Sequence, residues 1–170
     1  MKINLNFSCR SLNYLGFVFA LSLILYALYA QYILNLEACP LCIFQRIAVI
    51  LAGILFLICA IHSPKEIMAK IYHLMITSTC FLGMGISARH VYIQNLPPDK
   101  IPSCGPGLGY LLDTFPIFEV LRMIFTGSGE CAVINWSFIG LSMPSWVFIC
   151  FLFLIFISYL ANWKKKNYLS

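Results

Sequence analysis

Cysteine is the residue type in this chain with the greatest capacity for chemistry, and it is abundant. The 170 residues include eight cysteines, and two of these form the motif Cys39-Pro40-Leu41-Cys42. Two others, Cys104 and Cys131, lie far apart in a later loop. A C-x-x-C pair is typical of thiol–disulfide exchange or of metal binding. The first question is therefore which elements hold these thiols, and where.

The C-x-x-C motif is predicted to open a helix. Proline is favoured at the first helical position, so Pro40 makes Cys39 the N-cap and places Cys42 in the first turn. Backbone N–H groups and the positive end of the helix dipole then favour the thiolate, which is the attacking species in disulfide exchange. Arg46 follows Cys42 by one turn on the same face. Its guanidinium is predicted to stabilise the thiolate and to donate hydrogen bonds to a carbonyl; the alternative is an anchor at the membrane surface.

The composition indicates that membrane-spanning helices position these residues. Of the chain, 61% is hydrophobic and 10% is charged, whereas about 25% of an ordinary soluble domain is charged. Long, charge-poor segments are typical of transmembrane helices, and four are predicted, at about 12–34, 41–61, 71–88 and 146–163. We therefore expect an all-α membrane protein, a four-transmembrane-helix bundle forming a single domain over 1–170, with outer loops at about 35–40 and 89–145.

The basic residues predict the orientation of this bundle. They concentrate in both tails and in the loop between the second and third spans: Lys2, Arg10, Lys65, Lys70, Lys164, Lys165 and Lys166. The positive-inside rule makes that side cytoplasmic, with both termini on it. The net charge of +5 is thereby explained by topology, so no nucleic-acid partner is expected.

The second outer loop is rich in proline and glycine, and most of it is expected to lack regular structure. One part differs, because apolar residues follow helical spacing from Pro116 to Phe125. This stretch is predicted to form a short membrane-surface helix; a helix packed on top of the bundle is the equal alternative. In the third span, Thr79, Gly83 and Ser87 form a stripe of small residues suited to close helix packing.

Topology divides the cysteines into two classes. Those in the cytoplasmic tail or inside spans are expected to be inert: Cys9, Cys59, Cys80 and Cys150. The four outer cysteines would be paired or redox-active in an oxidising compartment. A zinc site built from all four is the structural competitor, but the wide separation of Cys104 and Cys131 suits a loop-closing disulfide better. We expect no metal, and we interpret two separate cysteine pairs as an electron relay.

Such a relay needs a terminal electron acceptor. The sequence has no dinucleotide-binding glycine fingerprint and no C-x-x-C-H haem attachment, and it contains three histidines. The C-x-x-C lies at the depth where the head group of a lipid-soluble quinone would reside. A membrane quinone is therefore the most economical hypothesis. Arg46 and His90, at the outer ends of the second and third spans, are candidates to contact its carbonyls; for His90 the alternative is an ordinary interfacial histidine.

The chain resembles a known family, DsbB, the bacterial disulfide bond formation proteins. The resemblance covers nearly the whole chain. The residues that carry it are Cys39-Pro40-Leu41-Cys42-Ile43-Phe44-Gln45-Arg46, Ser63-Pro64-Lys65, Gly127-Ser128-Gly129-Glu130-Cys131-Ala132 and Trp136-Ser137-Phe138-Ile139-Gly140-Leu141-Ser142-Met143-Pro144-Ser145-Trp146. It implies a four-helix bundle in the bacterial inner membrane. It also implies a partner, the soluble thioredoxin-fold oxidant DsbA, and an acceptor, ubiquinone or menaquinone.

The resemblance also implies a role for each outer cysteine. Cys104 would be the sulfur attacked by the partner, with Cys131 as its disulfide mate. Cys39 would connect the two pairs by thiol exchange, and Cys42 would be the thiolate that reacts with the quinone.

Three other positions follow from the same resemblance. Arg46 would assist Cys42, and His90 matches a histidine that the family places near the quinone. Gln45 departs from the pattern, since well-known members carry an acid there. The stretch between Cys104 and Pro116 also departs from it.

The sequence also allows two other hypotheses about function. The first is an oxidase devoted to one dedicated partner. The second is a membrane scaffold whose outer cysteines form static disulfides or a structural zinc site. A transporter is disfavoured because no span carries a central charge.

Overall fold

A computed structural model describes residues 8–36, 38–97, 116 and 129–168, with the backbone alone at 66, 129–130 and 164–168. The helices are α1 (Cys9–Tyr32), α2 (Pro40–His62), α3 (Glu66–Gln94), α4 (Gly129–Ala132) and α5 (Met143–Tyr168). A two-stranded sheet of β1 (Ser137–Phe138) and β2 (Leu141–Ser142) precedes α5.

Four of these helices are long and apolar enough to cross a membrane: α1, α2, 67–94 of α3 and Met143–Trp163 of α5. The predicted four-helix membrane architecture is confirmed. Helix α1 begins before its predicted span, at Cys9, but ends at Tyr32, two residues short of the predicted end. Helices α2, α3 and α5 run past both ends of their predicted spans, most clearly α3, which extends beyond 71–88. The reason is that hydropathy marks the apolar part of a helix, whereas its hydrogen-bonding pattern continues through flanking charges such as Lys70 and Arg89.

The four long helices form a ring. α1 packs against α2 and α5, and α3 packs against the same two helices, so that α1 and α3 occupy opposite corners. The interior is filled by Ala20, Ala48, Val49, Ala52, Phe56, Ile76, Cys80, Phe151, Leu154 and Ile157. Large apolar side chains also point outward, and Leu82 is 71% exposed. An outer surface of this kind suits contact with lipid.

Two glycines allow α1 and α3 to approach bulky rings. A Cβ added at Gly16 would lie 2.7 Å from the Phe56 ring, and one at Gly83 would lie 2.2 Å from the tip of Phe151. The predicted packing role of the small-residue stripe therefore holds for Gly83. Thr79 in the same stripe instead donates a hydrogen bond to the Met75 carbonyl, at 2.9 Å.

Substituting Gly83 with alanine should destabilise the bundle by about 1–3 kcal/mol, because the Phe151 ring would have to leave a well-packed position. Gly85 is a matched control on the same helix, since a Cβ there meets nothing within 4 Å. Gly85→Ala should therefore be neutral or stabilising by up to about 1 kcal/mol. Thermal unfolding in detergent, followed by helical circular dichroism, measures both. A Gly83 variant as stable as the Gly85 variant would contradict this packing.

The segment before α5 is more regular than the sequence indicates. β1 and β2 pair antiparallel with Ser137 opposite Ser142, and Ile139 and Gly140 form the turn with φ of 53° and 75°. Two-residue turns of this kind need positive φ at both positions, which glycine adopts without strain. This turn explains why part of a loop expected to be irregular forms a hairpin. The predicted surface helix from Pro116 to Phe125 lies outside the described residues apart from Pro116 itself.

Candidate dithiol site

The C-x-x-C motif caps α2 as predicted. Cys39 is the N-cap, in an extended conformation, and Pro40 occupies the first turn. The backbone N–H of Cys42 donates to the Cys39 sulfur at 3.4 Å, and the two sulfurs lie 3.1 Å apart. Both thiols therefore sit at the positive end of the α2 dipole, a position that favours thiolates.

Cys131 lies in the same buried cluster as Cys39, although the two are distant in sequence. α4 carries Cys131 and packs on α3 near its end. The exposed fractions of Cys39 and Cys131 are 8% and 1%, and Leu41 and Ile93 fill the space around them. A cysteine of the second outer loop thus stands beside the C-x-x-C pair. Cys104 lies outside the described residues.

His90 lies against Cys39. Its Nε2 is 3.7 Å from the Cys39 sulfur, and its Nδ1 is 3.4 Å from Nε2 of Gln45. Both His90 and Gln45 are buried, although each is polar. The Gln45 amide therefore has a structural partner on α3 and orients the imidazole toward the dithiol.

Arg46 connects α2 to α1. Its Nη2 donates to the Ala27 carbonyl at 3.2 Å, and its Nη1 donates to Oε1 of Gln31. A guanidinium carries five N–H donors in a planar fork. These two contacts hold the fork in place next to the first turn of α2.

An apolar cavity of about 380 Å³ opens beside Cys42 and Arg46. It is bounded by α1, α2, α5 and the segment 136–138, and its lining residues are Leu23, Ile24, Tyr26, Ala27, Cys42, Gln45, Arg46, Val49, Trp136, Phe138, Met143, Trp146, Val147 and Cys150. His90 is not among these described lining residues. It lines a smaller cavity of about 60 Å³, which it shares with Cys39, Cys42 and Gln94. Cys42 borders both cavities.

One wall of the larger cavity is aromatic. The rings of Trp136 and Phe138 are stacked with centroids 6.2 Å apart, and the rings of Phe138 and Trp146 are 5.9 Å apart. The indole N–H of Trp146 donates to the Phe138 carbonyl at 3.0 Å, which ties the hairpin to α5. Tyr26 of α1 approaches Trp136 edge-on at 6.3 Å. These ring contacts hold the aromatic side chains in place as an apolar wall of the cavity.

The structure thus brings together Cys39, Cys42, Cys131, Arg46 and His90, all of which the sequence singled out. It also adds residues that sequence reasoning missed. Tyr26, Trp136, Phe138 and Trp146 had no predicted role, although the last three lie in a motif that carries the resemblance; Cys150, expected to be inert, lines the larger cavity. Gln31 could have been found from the sequence, because an amide near the end of an apolar span is expected to hydrogen-bond to another polar residue.

Metal-ligating atoms also converge at this site. The sulfurs of Cys39 and Cys42 and a ring nitrogen of His90 all lie within 4.8 Å of one another. Thiolate and imidazole are ligands that zinc prefers.

Comparison with known proteins identifies the family. A family profile described as "Disulfide bond formation protein DsbB" matches residues 9–161. Three similar relatives are each named "Disulfide bond formation protein B". The protein from Nitrosococcus oceani is 47% identical over 151 residues, covering 89% of both chains. That from Methylococcus capsulatus is 46% identical over 160 residues, covering 94% of this chain and 98% of the relative. That from Saccharophagus degradans is 46% identical over 165 residues, covering 97% of this chain and 99% of the relative.

Four membrane-spanning helices, a C-x-x-C pair at a helix start and matches along nearly the full length of these relatives all agree. The chain belongs to the DsbB family of membrane disulfide bond formation proteins.

Proposed function

We propose that this protein is a quinone-dependent thiol oxidase. It takes two electrons from the dithiol of a periplasmic thioredoxin-fold oxidant of the DsbA type and passes them to ubiquinone or menaquinone. One observation carries the proposal: Cys42 borders the 380 Å³ cavity, while Cys39, 3.1 Å away, is buried beside Cys131. The C-x-x-C pair therefore stands between a second cysteine and a site for an apolar ligand.

The larger cavity fits a quinone head group. Small-molecule sites typically occupy about 300–1,000 Å³ and are mostly apolar with a few polar groups, which describes this cavity. The aromatic wall of Trp136, Phe138 and Trp146 suits a planar ring. The Arg46 guanidinium, fixed by Gln31 and Ala27, is a hydrogen-bond donor for a carbonyl oxygen. When bound, a quinone accepts two electrons and two protons.

The chain's own cysteines carry the electrons by thiol exchange. A partner thiolate attacks Cys104 and opens the Cys104–Cys131 disulfide; the partner's second thiol then closes the partner's own disulfide and leaves two outer thiols. An outer thiolate attacks Cys39 and breaks the Cys39–Cys42 bond, so that Cys42 leaves as a thiolate. The second outer thiol re-forms the outer disulfide and releases Cys39. At each exchange one S–S bond forms and one breaks.

The helix start stabilises the charge that this exchange develops. The Cys42 sulfur lies in the first turn of α2 and borders the cavity that Arg46 also lines, so a leaving thiolate meets favourable charge on the side where the quinone is proposed to bind. His90 was expected from the sequence to contact the quinone. Because it lies against Cys39 and outside the lining of the larger cavity, we propose that it acts on the dithiol instead.

Energetics require an acceptor of this kind. DsbA-type oxidants have reduction potentials near about −120 mV, far above ordinary protein disulfides, and about 30 mV corresponds to about 1.4 kcal/mol for two electrons. Reoxidising such a partner by disulfide exchange alone is therefore uphill. Removal of electrons by a quinone supplies the driving force.

We further propose that the protein resides in the bacterial inner membrane with both termini in the cytoplasm. The basic residues Lys65 and Lys70 lie at the end of the bundle opposite Cys39, and the positive-inside rule makes that end cytoplasmic. A membrane-impermeant thiol reagent applied to intact spheroplasts should label the reduced outer cysteines and leave Cys9 unlabelled. Labelling of Cys9 without labelling of the outer cysteines would indicate the opposite orientation.

The proposed activity can be tested with the purified full-length protein. Mixed with a reduced DsbA-type partner and a soluble quinone, it should oxidise the partner over many turnovers and consume one quinone per dithiol. Without quinone, it should oxidise only as much partner as its two cysteine pairs can oxidise once. Multiple turnovers without any quinone, or none with it, would show the proposal to be wrong.

The scaffold alternative keeps one supporting observation, the convergence of Cys39, Cys42 and His90 as metal-ligand types. Thiol trapping discriminates between the two functions. In a Cys131→Ser variant, Cys104 has lost its disulfide mate and is left as a thiol. In a relay, this thiol should attack the disulfide form of the partner and be trapped as a mixed disulfide, because Cys131 is not there to displace the partner by re-forming the Cys104–Cys131 bond. A scaffold with static disulfides or structural zinc should accumulate none.

A further inference from the structure

The Cys39, Cys42 and His90 side chains have a geometry that suits a thiophilic metal ion. The two sulfurs are 3.1 Å apart, and His90 Nε2 is 3.7 Å from the Cys39 sulfur. In a tetrahedral zinc site, with Zn–S near 2.3 Å and Zn–N near 2.0–2.1 Å, neighbouring ligand atoms are separated by roughly 3.5–3.8 Å. All three ligand atoms already lie within 4.8 Å of one another, so small side-chain rotations complete the arrangement.

The surroundings of His90 support a role for its imidazole as a metal ligand. Histidines that bind metals usually donate their second ring N–H to a fixed acceptor, which sets the tautomer and the orientation. Gln45 lies 3.4 Å from Nδ1 of His90, and its amide carries both an acceptor and a donor. The amide nitrogen of Gln45 is the atom that lies nearest Nδ1. Rotating the terminal amide by half a turn exchanges it for the oxygen, which accepts from Nδ1–H and leaves the lone pair of His90 Nε2 facing the two sulfurs. Gln45 is itself 4% exposed, so this contact is shielded from competing water.

The smaller cavity leaves room for the ion and for a water molecule as its fourth ligand. It measures about 60 Å³ and is bordered by Cys39, Cys42, His90 and Gln94, whereas one water needs about 10–15 Å³. The side-chain oxygen of Gln94 is buried and has no hydrogen-bond partner within the described part of the chain. A water bound to the ion as fourth ligand would donate to that oxygen. This unpartnered acceptor is a second observation, independent of the three ligands, that points to an occupant.

We propose that Cys39, Cys42 and His90 bind one Zn²⁺ when the C-x-x-C pair is in its dithiol form, and that bound zinc reversibly arrests the relay. Binding converts two thiols to zinc-bound thiolates and releases two protons, with no change in the number of electrons. The disulfide form has no thiolate to offer and does not bind. The arrest of the relay rests on the proposed function, because the zinc-bound sulfurs are those that must react in it; the metal site itself does not.

Metal binding is tested without quinone or partner. The full-length protein, reduced in detergent and titrated with Co²⁺, should develop the absorption bands of tetrahedral thiolate coordination at one ion per chain, and Zn²⁺ should displace them. The disulfide form should show none. Equal spectra for the two forms, or no bands in the reduced form, would overturn the metal site.

Variants assign the ligands by competition with a chromophoric chelator. Gln45→Leu should weaken zinc affinity by about 10–100-fold, the effect expected for a residue that orients a ligand. Cys39→Ser, Cys42→Ser and His90→Ala should weaken it more, and His90→Gln provides a second histidine variant that keeps a polar side chain of similar size. His62→Ala is the matched control, because His62 is an exposed histidine at the opposite end of α2. Wild-type affinity in both His90 variants would exclude His90 as a ligand.

The regulatory part is tested by partner oxidation in the presence of zinc. Zinc should slow turnover, a chelator should restore it, and pre-oxidised protein should be slower to become inhibited than pre-reduced protein. Cobalt binding without inhibition by zinc would overturn the regulatory role. Cobalt binding by a protein that never oxidises the partner would count against the proposed function and leave the metal site standing.

Discussion

Replacing Cys42 with serine should abolish quinone-dependent oxidation of a DsbA-type partner, with turnover falling by about a thousandfold or more, the scale of loss expected when a reacting nucleophile is removed. Cys42 lines the larger cavity, and its sulfur lies 3.1 Å from the sulfur of Cys39. Serine keeps the size and the helix start but forms neither a thiolate nor a disulfide. Steady-state partner oxidation with a soluble quinone measures the loss.

The same variant separates the two halves of the relay. In the proposed route, exchange between the partner and the outer pair Cys104 and Cys131 does not use Cys42, so a single turnover of partner oxidation should survive in Cys42→Ser. Cys9→Ser is the matched control, because Cys9 starts α1 at the opposite end of the bundle; its turnover should stay close to wild type. Full multiple-turnover activity in Cys42→Ser would contradict the proposed route.

Replacing Arg46 with alanine should lower kcat/KM for the quinone by about 10–100-fold, a loss of about 1.4–2.7 kcal/mol in transition-state stabilisation. The guanidinium lines the larger cavity and is oriented by Gln31 and Ala27. Its removal takes away both a donor for a carbonyl and a positive charge near Cys42. The rate of a single exchange between the partner and the outer cysteines should be unaffected.

Two further variants show whether charge or geometry matters at this position. Arg46→Lys retains the charge but lacks the planar fork that reaches two acceptors on α1, so it should restore part of the activity. Gln31→Leu keeps the guanidinium and removes one of its two anchors, and should cost less than Arg46→Ala. For each of these two variants, kcat and KM are measured separately for the quinone and for the partner. An equal rise in KM for both substrates would indicate that Arg46 stabilises the bundle rather than the quinone site.

Gln45 illustrates how a departure from a family pattern acquires a structural meaning. The resemblance to the family implied only that Gln45 stands at a position where an acid was expected. In the structure this amide is buried and meets His90, which in turn meets Cys39. Cys39 and Gln45 lie together at the start of α2, whereas His90 lies near the end of α3, 45 residues further along the chain. Their order, amide to imidazole to thiol, could not be read from any single motif.

The sequence by itself determined the elements and the start of the reactive helix. Long apolar segments with few charges predict membrane-spanning helices, because a helix satisfies all its backbone hydrogen bonds within the segment, where the bilayer offers no water. Pro40 after Cys39 fixed the N-cap and the first turn of α2. These features depend on residues close together in the chain, and such local preferences can be read directly.

The tertiary structure alone decided which faces of the helices meet. Several of these helices are apolar on all sides, so no hydrophobic stripe specifies how each is rotated about its axis. The rotation follows from close packing, such as that of Gly83 against Phe151 and of Gly16 against Phe56. The larger cavity beside Cys42 lies between α1, α2, α5 and the segment 136–138, so it exists only where these separate elements meet. Contacts between helices depend on shape complementarity across the whole bundle, which a pattern within one segment does not contain.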